Sequence, residues 1–223
     1  MLQSTAMTYA QKIAALLSPA ERRVFRRLNT PQKIQDFLDR MPENVLSRRE
    51  HSMRSPRRVL RTHKAHCLEG AMLAAACLAY YGRPPLLLDL ETGAGDYDHI
   101  VALFKERGRW GAISKTNYPV LRWRDPVYKS VRELAMSYFH EYFLDNCKKT
   151  LLRYSGAFSL RKFDPKKWVI AERDVDWLAG ELGGSKHFPI APPGAMRNLR
   201  RAGKIEIRAT ALREWTKEGK PTK

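Results

Sequence analysis

Residues 67–82, CLEGAMLAAACLAYYG, are apolar on almost every side of a helix. A helix with no polar face is buried, most often at the centre of a domain. Gly82 supplies the left-handed residue that ends such a helix, and Pro84 and Pro85 stop it. Other elements must therefore wrap this segment on all sides. Downstream, residues 86–90, 99–104 and 110–116 read as three strands. The last two are joined by a hairpin turn at Glu106-Arg107-Gly108-Arg109. Upstream, residues 6–17 and 19–28 read as helices, the second with Ser18 as N-cap and Pro19 as its first residue. Thr30-Pro31 repeats that start, and Ile34, Phe37, Leu38 and Met41 follow at helical spacing. Residues 43–63, Arg-rich with Pro56, read as a surface loop. Helical spacing returns over 130–143, Trp168-Val169-Ile170 reads as a strand, and 216–223 read as a frayed tail. The expected fold class is α+β, a buried helix packed on an antiparallel sheet. The domain division is a helical N-terminal extension (1–44), a core (45–185) and a basic, partly flexible C-terminal segment (186–223).

The 223 residues carry 41 Lys and Arg against 23 Asp and Glu, a formal +18. Such a balance points towards polyanions. Its distribution qualifies that. Residues 45–66 hold +6 and 186–223 hold +7, whereas 67–185 hold only +2. Arg48, Arg49, Arg57, Arg58, Arg200 and Arg201 are the candidate docking residues for an acidic partner. Nucleic acid is the less favoured partner, since no helix-turn-helix, zinc-finger or RNA-binding signature is present. No apolar run approaches the ~20 residues of a membrane span. The start shows no signal peptide, because Gln11 and Lys12 break its apolar stretch and no basic region precedes it. A cytoplasmic protein without membrane partners is expected. Three cysteines, Cys67, Cys77 and Cys147, do not make a disulfide framework.

Cys67 falls in the first turn of the buried helix, where free N–H groups and the helix dipole stabilise a thiolate. The same amides can hold an oxyanion. A thiol nucleophile also needs a base within hydrogen-bond reach. His99 opens the second strand, just after a Gly-rich loop, and is the candidate. A two-residue turn at Arg107-Gly108 sets residue 99 opposite 116, with Ser114 on the same face two positions along. A three-residue turn sets it opposite Asn117. One residue of register flips the face, so both stay open as the group that orients His99. Cys77, ten residues on and about 280° around the helix, faces elsewhere. Asp98 adjoins His99 but should point to the opposite face. Glu69 and Asp89 are further acidic candidates, although the helix dipole equally explains Glu69. His63, His66, Cys67 and His99 make only a weak zinc pattern.

The pattern Cys at a helix start, His at a strand start, and DHIVALFKERGRWGAIS with its Gly-x-Trp hairpin resembles the transglutaminase-like superfamily of papain-like cysteine folds, in a bacterial subgroup. The resemblance covers about residues 60–120. It implies that Cys67 is the nucleophile and His99 the base, and that a residue four after Trp110 orients the imidazole. That residue is commonly Asp in the family and is Ser114 here. Asn117 would instead give a papain-like set. His66 occupies a position that in papain-like enzymes often offers a donor near the oxyanion. The function implied is a cysteine acyl-transfer enzyme, a Cys-His hydrolase or acyltransferase acting on amide- or peptide-containing substrates, with hydrolysis favoured over cross-linking and no cofactor. The alternatives are a non-catalytic scaffold of the same fold, a basic nucleic-acid-binding protein, and an arylamine acetyltransferase-like variant of the same chemistry.

Overall fold

The computed structural model describes residues 6–44, 52–192, 194–216 and 218–222. Three short helices open it. α1 (Tyr9–Leu16) is capped by Thr8, α2 (Pro19–Arg27) by Ser18 and α3 (Pro31–Asp39) by Thr30. In α1 and α2 the N3 side chain returns a bond to the cap, from Gln11 and Glu21. Residues 43–63 are not wholly loop. Ser55 caps a further helix, α4 (Pro56–Thr62), with Pro56 at its start. Ser-Pro is the same signature as Ser18-Pro19, and its polar surroundings conceal it in the sequence.

α5 (Cys67–Tyr80) is buried without interruption from Leu68 to Ala79. Gly82 follows at φ 79°, in the left-handed region. α5 lies on a mixed-length sheet of β1 (Leu86–Thr92), β2 (His99–Glu106), β3 (Arg109–Ile113), β4 (Arg124–Tyr128), β5 (Leu151–Ser155), β6 (Phe158–Ser159) and β7 (His187–Pro189). The strand order is β4-β3-β2-β1-β5-β7, β6 pairs with β1, and every pairing is antiparallel. The chain is thus α+β. Alternate residues serve two cores. Leu87, Ala102, Phe104 and Ile113 join α5, while Leu88, Leu90, Val101, Leu103 and Ala112 join a second cluster with Tyr138 and Leu134 of α6 (Val131–Met136). Burial of both faces explains why β1 opens on three consecutive leucines. Among the described residues no helix is long and apolar enough to cross a membrane.

Some expectations are corrected. The helix over 130–143 stops at Met136, where Arg124 Nη2 takes the Ser137 carbonyl (3.3 Å), and a 3-10 turn follows at Phe139–Glu141. Trp168-Val169-Ile170 is no strand. Trp168 and Val169 are fully buried, but Val169 N–H bonds Pro165 O (2.8 Å) and its carbonyl accepts from Arg57 N (3.0 Å), so neither serves a ladder. The tail beyond 216 turns back on itself, with a bridge between Trp215 and Pro221. α7 (Asp176–Gly183) and α8 (Lys204–Thr210) complete the chain.

Gly70 sets how closely α5 approaches the sheet. A Cβ there would stand 2.3 Å from Lys115 Cβ. Alanine gains about 1 kcal/mol of helix propensity, but overpacking costs about 1–3 kcal/mol and moves the helix. Gly70→Ala is expected to lower the urea midpoint, with the unfolding slope unchanged.

Candidate active site

Cys67 is the first residue of α5, so its side chain lies where the helical N–H groups are unpaired. The thiol is partly exposed, and its Sγ lies 4.0 Å from the Asp98 carbonyl, at the mouth of β2. His99 is the next residue, 5% exposed. The β2–β3 turn is the two-residue one, Arg107-Gly108, with φ of 47° and 77°, the left-handed pair that such hairpins require. The register Ala102↔Ile113 follows from it. Extended one residue past β3, it sets Ser114 opposite Val101, on the face of His99. Ser114 Oγ lies 2.7 Å from His99 Nε2. That leaves Nδ1 for the thiol, and the ring edge meets Tyr138 at 6.5 Å between centroids.

Ser114 is itself held rigidly. Its N–H donates to Gln35 Oε1 (2.9 Å) and its carbonyl accepts from Gln35 Nε2 (2.8 Å). Gln35 lies on α3, 79 residues away, and is only 5% exposed. Asn117 is turned elsewhere. Its amide bonds the backbone of Trp215 at both ends, Nδ2 to the carbonyl (2.8 Å) and Oδ1 from the N–H (2.7 Å). It therefore fastens the C-terminal segment and does not orient His99.

His66 is the N-cap of α5 and immediately precedes Cys67. Its Nε2 donates to Ser52 O (2.7 Å) and lies 3.6 Å from Glu69 Oε1. Glu69 is wholly buried and accepts from Asn44 Nδ2, Ser52 Oγ, Arg54 N and His66 N. Burial alone would raise the Cys67 thiol. Hydrogen bonds from His66 and His99, and the charges on both rings, override it and hold the thiol well below its ordinary value. Burial would lower His66, yet its bond and charge interaction with Cys67, then Glu69, push it up to about 9.

Other charges surround this group. Lys115 is fully buried against Glu43, Nζ to Oε2 3.5 Å. Burial raises Glu43 and lowers Lys115, each opposed by the other's charge. Burial, and then the charge of Asp98, raise Asp89 to about 6, while His187 at 3.4 Å opposes them. The Asp98 side chain faces Thr92, away from the imidazole. Among the described residues no group of three or more His, Cys, Asp or Glu is arranged to hold a metal ion.

The arginines are placed less freely than their clustering suggests. Arg57 pairs with Glu21 (2.7 Å) and Arg58 with Asp174, both inside the molecule. Arg200 pairs with Glu206 (3.0 Å), and Arg201 is exposed. Arg48 and Arg49 lie outside the described residues. Gln35, Glu43, Ser52 and Lys115 were absent from the candidates. Only the repeated Thr-Pro start of α3 hinted that this helix is firmly placed.

No protein-family model matches the chain, and no curated protein matches it.

Gln35→Leu keeps the volume but leaves the buried N–H and C=O of Ser114 without partners. Each orphan costs about 1–3 kcal/mol. The variant is expected to melt several degrees lower. The His99 ring resonances in NMR should broaden or shift as Ser114 loses its anchor.

Proposed function

We propose that the chain is a cysteine acyl-transfer enzyme of the transglutaminase-like kind, cleaving amide or peptide bonds. The observation that carries this reading is one thiol at the first turn of a buried helix, 4.0 Å from the carbonyl of the residue before His99, whose Nε2 is held by a buried hydroxyl. The order helix Cys, strand His, next-strand orienting residue supports the family assignment.

In the reaction, Cys67 sulfur attacks the carbonyl carbon, and His99 Nδ1 holds the thiol proton. The carbonyl oxygen gathers charge against the N–H groups opening α5. His99 then protonates the departing amine, and the acyl group remains on sulfur. Water, deprotonated by His99, releases the acid. Hydrolysis is favoured because cross-linking needs an amine to outcompete water. Ser114 fixes the ring by a hydrogen bond but adds no negative charge to stabilise the imidazolium, so the reaction should run slower than with a carboxylate there.

That neutral hydroxyl also supports a second reading, a non-catalytic scaffold in which the thiol is a remnant. Turnover of peptide amides and capture of an acyl-Cys67 by mass spectrometry separate the two. Cys67→Ala is expected to abolish turnover, and His99→Ala to lower kcat about 10²-fold or more. Ser114→Ala should lower kcat roughly tenfold with KM little changed, and shift the acid limb of the pH profile. Activity surviving Cys67→Ala would end the proposal.

A further inference from the structure

Charge is missing beside His99 and present beside Cys67. The hydroxyl of Ser114 stands where a carboxylate would support the imidazolium. His66 is tied at Nε2 to a backbone carbonyl, so that nitrogen must carry a proton. Its remaining nitrogen is left for Cys67, the next residue and the first of α5. Behind the ring, Glu69 is a buried carboxylate that needs a cation. The nearest candidates are His66 at 3.6 Å and Arg54 at 4.0 Å.

We propose that His66 is a fixed imidazolium, balanced by Glu69, that keeps Cys67 ionised, so that the site's electrostatic support is moved from the base to the nucleophile. The thiol proton passes to His99 Nδ1, and His66 keeps its own throughout. At rest the sulfur anion pairs with His99, and Glu69 pairs with His66. The charges are therefore matched two against two. The upward shift of His66 and the downward shift of Cys67 agree with this arrangement.

Other groups act on the pair from each neighbouring element. Glu43, with Lys115 behind it, bears on both Cys67 and His66 from the segment after α3. Asp89 of β1 and Tyr142 bear on Cys67 from the sheet side, and Arg54 bears on Glu69. The acids among them oppose the thiolate, which is why two imidazoles are needed to hold it. The inference rests on reading Cys67 as the nucleophile, and its test needs no substrate.

The test is alkylation of the full-length protein by iodoacetamide from about pH 5 to about pH 9, with Cys67 followed by peptide mass spectrometry so that Cys77 and Cys147 do not contribute. An ordinary thiol of pKa ~8.5 scarcely reacts at pH ~6. Wild-type Cys67 is expected to react there at close to its plateau rate. His66→Asn should lose about tenfold or more at that pH, with the midpoint raised by about a unit or more. An unchanged profile in a folded His66→Asn overturns the proposal. A second measurement leaves position 66 untouched. NMR titration should find the His66 ring charged at pH ~7 in the wild type and losing its proton at clearly lower pH in Cys67→Ala. A neutral ring at pH ~7 in the wild type overturns the proposal equally. Absence of peptide turnover with the low-pH thiolate intact would remove the reaction proposed above and leave this inference standing.

Discussion

The carboxylate of Glu69 is the point on which the site hangs. A buried charge is tolerated only when it is hydrogen-bonded and balanced. Here that requirement draws together three stretches of chain. Asn44 comes from the end of the α3 segment, Ser52 and Arg54 from the approach to α4, and His66 from the start of α5. Loss of any donor leaves part of the charge unmatched. The first turn of α5 therefore has one place to be, and the sulfur of Cys67 is located with it.

Two geometric demands converge on that turn from the sheet side. Gly70 lets Lys115 pass beneath the helix, and Ser114, one residue earlier, points to the opposite face and meets His99. Period-two alternation makes these one decision, since a shift by a single residue would exchange the lysine and the serine. The large positive charge of the chain is largely spent elsewhere. Arg57 and Arg58 tie α4 to α2 and to the segment before α7, which fixes the helical layer around α5. The groups nearest the sulfur are instead imidazoles and acids.

Local signals carried far in the sequence. The caps of α1, α2 and α3, the all-apolar α5 and the β2–β3 hairpin are written in short-range patterns, and the hairpin arithmetic narrowed the partner of His99 to two residues. What decided between them was the length of a turn, the two residues Arg107 and Gly108, both at positive φ. What stayed hidden was long-range. Nothing around Gln35 announces that it grips a strand end 79 residues away. Glu69 looked like a residue answering the helix dipole, because its partners are spread over Asn44, Ser52 and Arg54. Trp168 and Val169 looked like a strand because apolar content alone cannot tell a ladder from a buried turn.

Tyr9 sits in the first helix, yet its hydroxyl donates to the carbonyls of Leu160 and Phe163 and accepts from Trp168 Nε1. These contacts span 151 to 159 residues. α1 can pack on α5 as soon as both have formed, but the hydroxyl of Tyr9 has no partners until residues 160–168 have been made. The first helix precedes these partners by most of the domain and receives its polar anchors from them late. Loop closure over such separations slows folding. The last anchor of the helical layer around α5 is thus a long-range one.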